Sequence, residues 1–226
     1  MATRTRPDRP GAEAWVPDDG DLGALAAAAE ECRGCELYAP ATQVVFGAGD
    51  PRARCLMVGE QPGDREDVEG EPFVGPAGRL LDAAMAEAGL PRESVWLTNA
   101  VKHFRFSERG KRRLHQSPDA GHITACRPWL AAELERVRPE LIVALGAIAG
   151  RALAGPAFRV TKERGVLLPW PDRAARGLVP ADVPEGSPAA QLLATVHPSA
   201  VLRSDDRETA FAALVADLRV AADALG

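Results

Sequence analysis

Four short, apolar, β-rich runs recur along the chain: Cys55-Leu-Met-Val58, Val95-Trp-Leu-Thr98, Leu141-Ile-Val-Ala-Leu145 and Leu192-Leu-Ala-Thr-Val196. Helix-like segments separate or follow them, at 77–88, 125–137 and 207–225. In the last of these, Phe211, Leu214, Val215, Leu218 and Ala222 share one face by the i, i+3, i+4 spacing. Strands that alternate with helices predict an open, mostly parallel sheet covered on both faces. The expected fold is a three-layer α/β/α domain around a four-stranded sheet. It spans residues 21–226, after a polar, proline-bearing tail at 1–20 that reads as flexible. Two longer stretches look irregular, 102–118 and the Pro-rich 155–188. Loops of that length in compact domains are often functional.

Length and composition bound the function class. A chain of 226 residues with 46% hydrophobic residues can bury a real core. No run approaches the ~20 apolar residues of a membrane span, and the N-terminus has no apolar segment after its arginines that would read as a signal peptide. The expectation is a soluble, cytoplasmic, bacterial protein, monomeric, with no membrane partner. A formal charge of −5 argues by itself against nucleic acid. Its distribution argues the other way. From Lys102 to Gln116 there are six cations (Lys102, Arg105, Arg109, Lys111, Arg112, Arg113) and one anion, Glu108. That local +5 leaves −10 on the other 211 residues. A basic loop on an acidic body suits a phosphate backbone.

Ligands of open α/β sheets bind at the carboxyl ends of the strands. The residues there are Gly59-Glu60-Gln61-Pro62-Gly63, Asn99, Gly146 and His197-Pro198-Ser199. Glycine, proline and asparagine are also ordinary turn residues. A carboxylate, an amide and an imidazole at one sheet edge are a more specific signal. Other chemistries lack their motifs. No Walker loop, His-Glu-x-x-His helix or Gly-x-Ser-x-Gly elbow is present, and Gly75-Pro76-Ala77-Gly78 has a proline where a dinucleotide fingerprint needs its turn. Four cysteines remain, Cys32, Cys35, Cys55 and Cys126. Cys32-x-x-Cys35 closes the helical stretch 21–31 instead of opening a helix after a strand, so metal ligation fits it better than thioredoxin chemistry.

Taken in order, Gly59-Glu60-Gln61-Pro62-Gly63, Pro72-Phe73-Val74-Gly75-Pro76-Ala77-Gly78, Thr98-Asn99-Ala100-Val101-Lys102 and His197-Pro198-Ser199 resemble the iron–sulfur uracil-DNA glycosylases, a superfamily that includes family 4. The segment Lys111-Arg112-Arg113-Leu114-His115 resembles the inserted basic loop of the bacterial UdgX class, with Leu for Ile. The resemblance covers about residues 30–225. It implies a pocket for a uracil flipped out of single- or double-stranded DNA. Gly59 and Phe73 would form that pocket, Phe73 stacking on the base, while Asn99 reads its edge. His197 would stabilise the departing uracil anion. The resemblance also implies that His115 attacks C1′ of the sugar to give a covalent protein–DNA adduct. Glu60 would activate His115 or steady the sugar cation, and Gln61 would shape the pocket or position a group. Lys111, Arg112, Arg113 and Ser199 are expected at the DNA, with Arg113 also a candidate for holding the loop. It finally implies a [4Fe–4S] cluster on Cys32, Cys35, His103 and Cys126, His103 standing where relatives carry a cysteine. Cys55 is the competing fourth ligand.

Overall fold

A computed structural model describes residues 9–170 and 190–226. Eight strands are present among them: β1 (Ala48–Gly49), β2 (Cys55–Gly59), β3 (Val95–Asn99), β4 (Phe106–Arg109), β5 (Arg112–His115), β6 (Leu141–Leu145), β7 (Leu167–Pro169) and β8 (Gln191–Thr195). The helices are α1 (Leu22–Ala29), α2 (Asp64–Glu69), α3 (Pro76–Ala88), α4 (Ala120–Val137), α5 (Ala147–Ala154), α6 (Val160–Glu163), α7 (Pro198–Leu202) and α8 (Arg207–Leu225). The four predicted strands β2, β3, β6 and β8 form the parallel centre of the sheet. Two short antiparallel strands extend it at the edges, giving the order β1-β3-β2-β6-β8-β7.

Alternation along β2 explains the layers. Leu56 and Val58 point into one core with Leu25, Trp129 and Leu153, from α1, α4 and α5. Cys55 and Met57 point into the other, with Leu81 and Met85 of α3 and Leu214 of α8. Side chains of successive strand residues face opposite ways, so a strand flanked by two helical layers must be apolar at every position. β2 leads to β3 on one side, and the chain then returns past β2 to β6. Such a reversal opens a crevice at the carboxyl ends of the strands.

Two regions differ from the sequence expectation. The stretch 102–118 is not irregular. It carries the hairpin β4–β5, paired from Phe106↔His115 to Arg109↔Arg112. Gly110, with φ of +62°, makes the tight turn. Residues 9–20, expected as part of a free tail, are docked on the body. Gly11 N–H donates to Gly34 O (3.0 Å), Ala12 N–H donates to Ala125 O (2.8 Å), and Ala12 is buried. Arg9 bridges Glu36 (2.6 Å) and Asp119 (2.5 Å). Most of the predicted loop 155–188 lies outside the described residues; its described part includes α6 and β7. No helix among the described residues is long and apolar enough to cross a membrane.

Candidate active site

The ends of β2, β3 and β8 open into a cavity of about 740 Å³ whose lining includes Glu60, Phe73, Asn99, His115, His197 and Ser199. Gly59, the last residue of β2, abuts two of the lining side chains, Asn99 and Phe73. A Cβ there would lie 2.3 Å from Asn99 Oδ1 and 2.6 Å from the Phe73 ring, so glycine is what lets these two groups approach. Phe73 has φ of +60°, a strained conformation for an aromatic residue. Gly78 permits it by bringing its backbone against the Phe73 carbonyl. The Phe73 ring stands 6.4 Å from the His197 imidazole at 30°. A planar ligand entering the cavity therefore finds an aromatic face at its wall.

The polar groups are poised and incompletely paired. Asn99 Oδ1 and Glu60 Oε1 are buried without a hydrogen-bond partner. Such orphaned acceptors inside a cavity call for a ligand. His197 Nδ1 receives the backbone N–H of Ser199 (3.2 Å), with Ser199 Oγ at 2.8 Å. An N–H can only donate, so Nδ1 is the acceptor and the neutral ring carries its proton on Nε2. Burial lowers the His197 pKa to about 4, with His115 and Arg203 adding to the shift. At neutral pH this is an uncharged donor held by α7's first turn.

His115, at the end of β5, stands with Nε2 3.7 Å from Glu60 Oε1. Its ring also approaches Phe104, with centroids 6.0 Å apart. Two contacts hold the hairpin in this pose. Gln61 Nε2 donates to the carbonyls of Arg105 and Gln116 (both 3.1 Å), and its Oε1 accepts the Arg105 N–H (3.1 Å). Gln61 thus clasps both strands at the hairpin's base. Arg113 reaches Asp64 Oδ1 (2.6 Å), Asp67 Oδ2 (2.5 Å) and Thr42 Oγ1 (3.1 Å). It also lies over the rings of Phe104 and Phe106. Of the two roles expected of Arg113, anchoring the loop is the one its contacts display; its guanidinium is already occupied by carboxylates. Likewise Ser199, expected at DNA, is engaged with His197. Lys111 and Arg112 are exposed on the hairpin, as a phosphate contact requires.

Sequence reasoning missed the anions that receive Arg113. Asp64 and Asp67 stand three apart on α2, which places them on one helix face, directly after the Gly-Glu-Gln-Pro-Gly turn. That spacing was the available signal. Glu66, whose Oε1 accepts the Gly75 N–H (2.9 Å), was missed too; it braces the turn next to Phe73.

Cys32, Cys35, Cys126 and His103 are all buried. Among the described residues, no group of three or more His, Cys, Asp or Glu is placed to hold a metal ion. A polynuclear cluster spreads its ligands farther apart than a single ion does. The donor chemistry suits one. Burial pushes the Cys126 thiol up to about 12, with Cys35 and Cys32 contributing, so the three sulfurs lie within electrostatic reach of one another. N–H groups already point at the sulfurs: Trp129 Nε1 and Gly34 N at Cys32 Sγ (3.3 and 3.5 Å), Lys102 N at Cys126 Sγ (3.3 Å). Hydrogen bonds of this kind support thiolate ligands. Burial lowers His103 to about 4, which leaves its ring neutral and a lone pair free to ligate. Cys55 packs in the other core, across the sheet, where burial alone raises its thiol to about 12. It is remote from the set.

Comparison with known proteins gives a consistent result. Residues 46–219 match the model of the uracil DNA glycosylase superfamily. The chain is 34% identical over 180 residues to the Type-4 uracil-DNA glycosylase of Thermotoga maritima, covering 79% of this chain and 82% of that one. It is 32% identical over 183 residues to the Type-4 uracil-DNA glycosylase of Pyrobaculum aerophilum, 81% and 85% of the two chains. The corresponding protein of Archaeoglobus fulgidus is 40% identical over 120 residues, 53% and 57% of the two.

Proposed function

Because the chain belongs to the uracil-DNA glycosylase superfamily, we propose that it excises uracil from DNA and, like the UdgX class, captures the resulting abasic site through His115. The observation that carries this reading is the placement of His115 at the mouth of the cavity, 3.7 Å from the Glu60 carboxylate and clasped there by Gln61. A uracil buried in a stack must be extruded before its glycosidic bond can be reached. Phe73 then offers its face to the ring, and Asn99, with Oδ1 unpaired, accepts from uracil N3–H. The C1′–N1 bond breaks with its electron pair going to uracil. His197 donates from Nε2 to O2 of the developing anion, a stabilisation that grows only as charge develops. The sugar is left as an oxocarbenium-like cation beside Glu60, whose negative charge steadies it. The His115 imidazole adds a ring-nitrogen lone pair to C1′, and its ring proton is released, formally to the uracil anion. No water is consumed. The partner is uracil-containing DNA, single- or double-stranded, bound by a monomer.

A denaturing gel of the protein with a uracil oligonucleotide tests the reading. A shifted band resistant to heat and detergent is expected, and His115→Ser should remove it while uracil release persists. Free abasic DNA from the wild type, with no shifted band, would mean ordinary hydrolysis. A band that survives His115→Ser would point to another nucleophile.

Cys32, Cys35, His103 and Cys126 would hold a [4Fe–4S] cluster. Bound there, it would act as a structural tie between the segment after α1, the second turn of α4 and the segment after β3. The purified protein should then absorb visible light and contain iron. His103→Ala should lose both, and Cys55→Ser should keep both; the opposite pattern would make Cys55 the fourth ligand.

A further inference from the structure

Lys102 and Glu133 are buried charges that neither the cavity nor the thiol group uses; their side chains are 1% and 0% exposed. Lys102 Nζ donates to Glu133 Oε2, to Thr98 Oγ1 (2.6 Å) and to the carbonyl of Asn99 (2.9 Å). An ammonium has three donors, and all three are used. Glu133 is held in turn. Its Oε1 accepts from the Thr98 hydroxyl (2.8 Å), from Gly47 N (3.1 Å) and from Trp96 Nε1 (3.2 Å). A buried ion pair is a poor source of stability, because desolvation offsets its attraction and an apolar pair of similar volume does as well. Its location supplies another account. Asn99 ends β3, and its Oδ1 accepts no hydrogen bond, so that oxygen has no anchor of its own. The peptide that follows it is gripped from two sides, Ala100 N–H on Gly59 O (3.0 Å) and Lys102 Nζ on Asn99 O.

We propose that the Lys102–Glu133 pair is a positioning device for base recognition, fixing the Asn99 backbone and thereby the direction in which its amide enters the cavity. The proposal rests on the reading of Asn99 as the group that recognises uracil. Lys102 also donates its backbone N–H to Cys126 Sγ, so one residue ties the base-reading strand end to the thiol group.

A double-mutant cycle on the full-length protein tests it, because groups that act through one another are not additive. Single-turnover uracil release, counted as free base, is measured at saturating protein for wild type, Lys102→Met, Asn99→Ala and the double variant. Lys102→Met/Glu133→Leu leaves no lone buried charge, and Glu133→Gln retains the side-chain shape if that variant does not fold. Melting and visible absorbance confirm that each variant is folded and loaded. Loss of the pair should slow release about 10-fold or more in the Asn99 background and less than about 3-fold in the Asn99→Ala background, with affinity for uracil-free DNA unchanged. Wild-type rates in the folded pair variants, or equal losses in both backgrounds, overturn the positioning role alone. A wild-type protein that releases no uracil overturns the excision reading instead, and this inference with it.

Discussion

At the scale of single residues, the environment of His197 sets a pH dependence. Burial holds its pKa near 4, against about 6.5 in an unfolded chain. Between those values the unfolded state binds the extra proton, so stability rises with pH across that window. The contribution is complete above about pH 6.5 and is lost as pH falls toward 4. Wild type should therefore lose more melting temperature over that interval than His197→Gln, measured by thermal unfolding at a series of pH values. Equal losses would show that His197 does not titrate there. Uracil release by His115→Ser should likewise hold its rate down to about pH 5, because the ring stays neutral, with Nδ1 accepting from Ser199 N–H, until the pH approaches 4. The residues at strand ends were legible in the sequence because a parallel sheet dictates where its strands stop. Glu60, Asn99 and His197 followed from that rule. Gln61 stands at the same edge and was expected to shape the pocket or position a group, but its partners, Arg105 and Gln116, are 44 and 55 positions away, and no local pattern announces them.

At the scale of elements, the hairpin is where sequence and structure part. β4 and β5 read Phe-Ser-Glu-Arg and Arg-Arg-Leu-His, too polar to look like strands. Their alternation is one of function instead of hydrophobicity. Arg113 and His115 turn to the body, while Arg112 and Leu114 turn away. The hairpin sits apart from the main sheet and is pinned to it by side chains, Arg113 on α2 above all. Arg113→Ala removes two ion pairs and two ring contacts and leaves the buried Asp67 without its cation. Adduct formation should fall by about 10-fold or more, as His115 loses its fixed distance from the sugar. Uracil release should fall less, since Asn99 and His197 belong to the main sheet. Hydrogen exchange should rise in residues 105–116 and not in β2 or β6. An adduct rate that falls in step with uracil release would show that the hairpin shapes the pocket and does not merely carry the nucleophile. The main strands were legible to within a residue or two because burial on both faces imposes a continuous apolar run. The docking of residues 9–16 was not, because it depends on backbone hydrogen bonds and on Arg9.

At the scale of the whole molecule, the charge distribution takes a different form once partners are assigned. The sequence places six cations between Lys102 and Gln116. Lys102 is buried against Glu133, Arg113 is held by Asp64 and Asp67, and Arg105 lies 3.8 Å from Asp119. These three serve the fold. Arg109, Lys111 and Arg112 are exposed at the hairpin turn, and under the proposed function they are the cations left to it for phosphate. DNA affinity falls with salt in proportion to the number of phosphates neutralised, with a log–log slope of about −0.9 per contact on duplex and about −0.7 on single strands. Three contacts give the hairpin a share of about −2 to −3, where six would give roughly −4 to −5. The difference in slope between wild type and Arg109→Ala/Lys111→Ala/Arg112→Ala measures that share directly, using uracil-free DNA so that no adduct forms. A difference near 2 to 3 is expected if all three contact phosphate. A difference near zero would place the DNA backbone elsewhere on the rim of the cavity, where Arg65 and Arg203 stand, and leave the hairpin as a carrier of His115 alone.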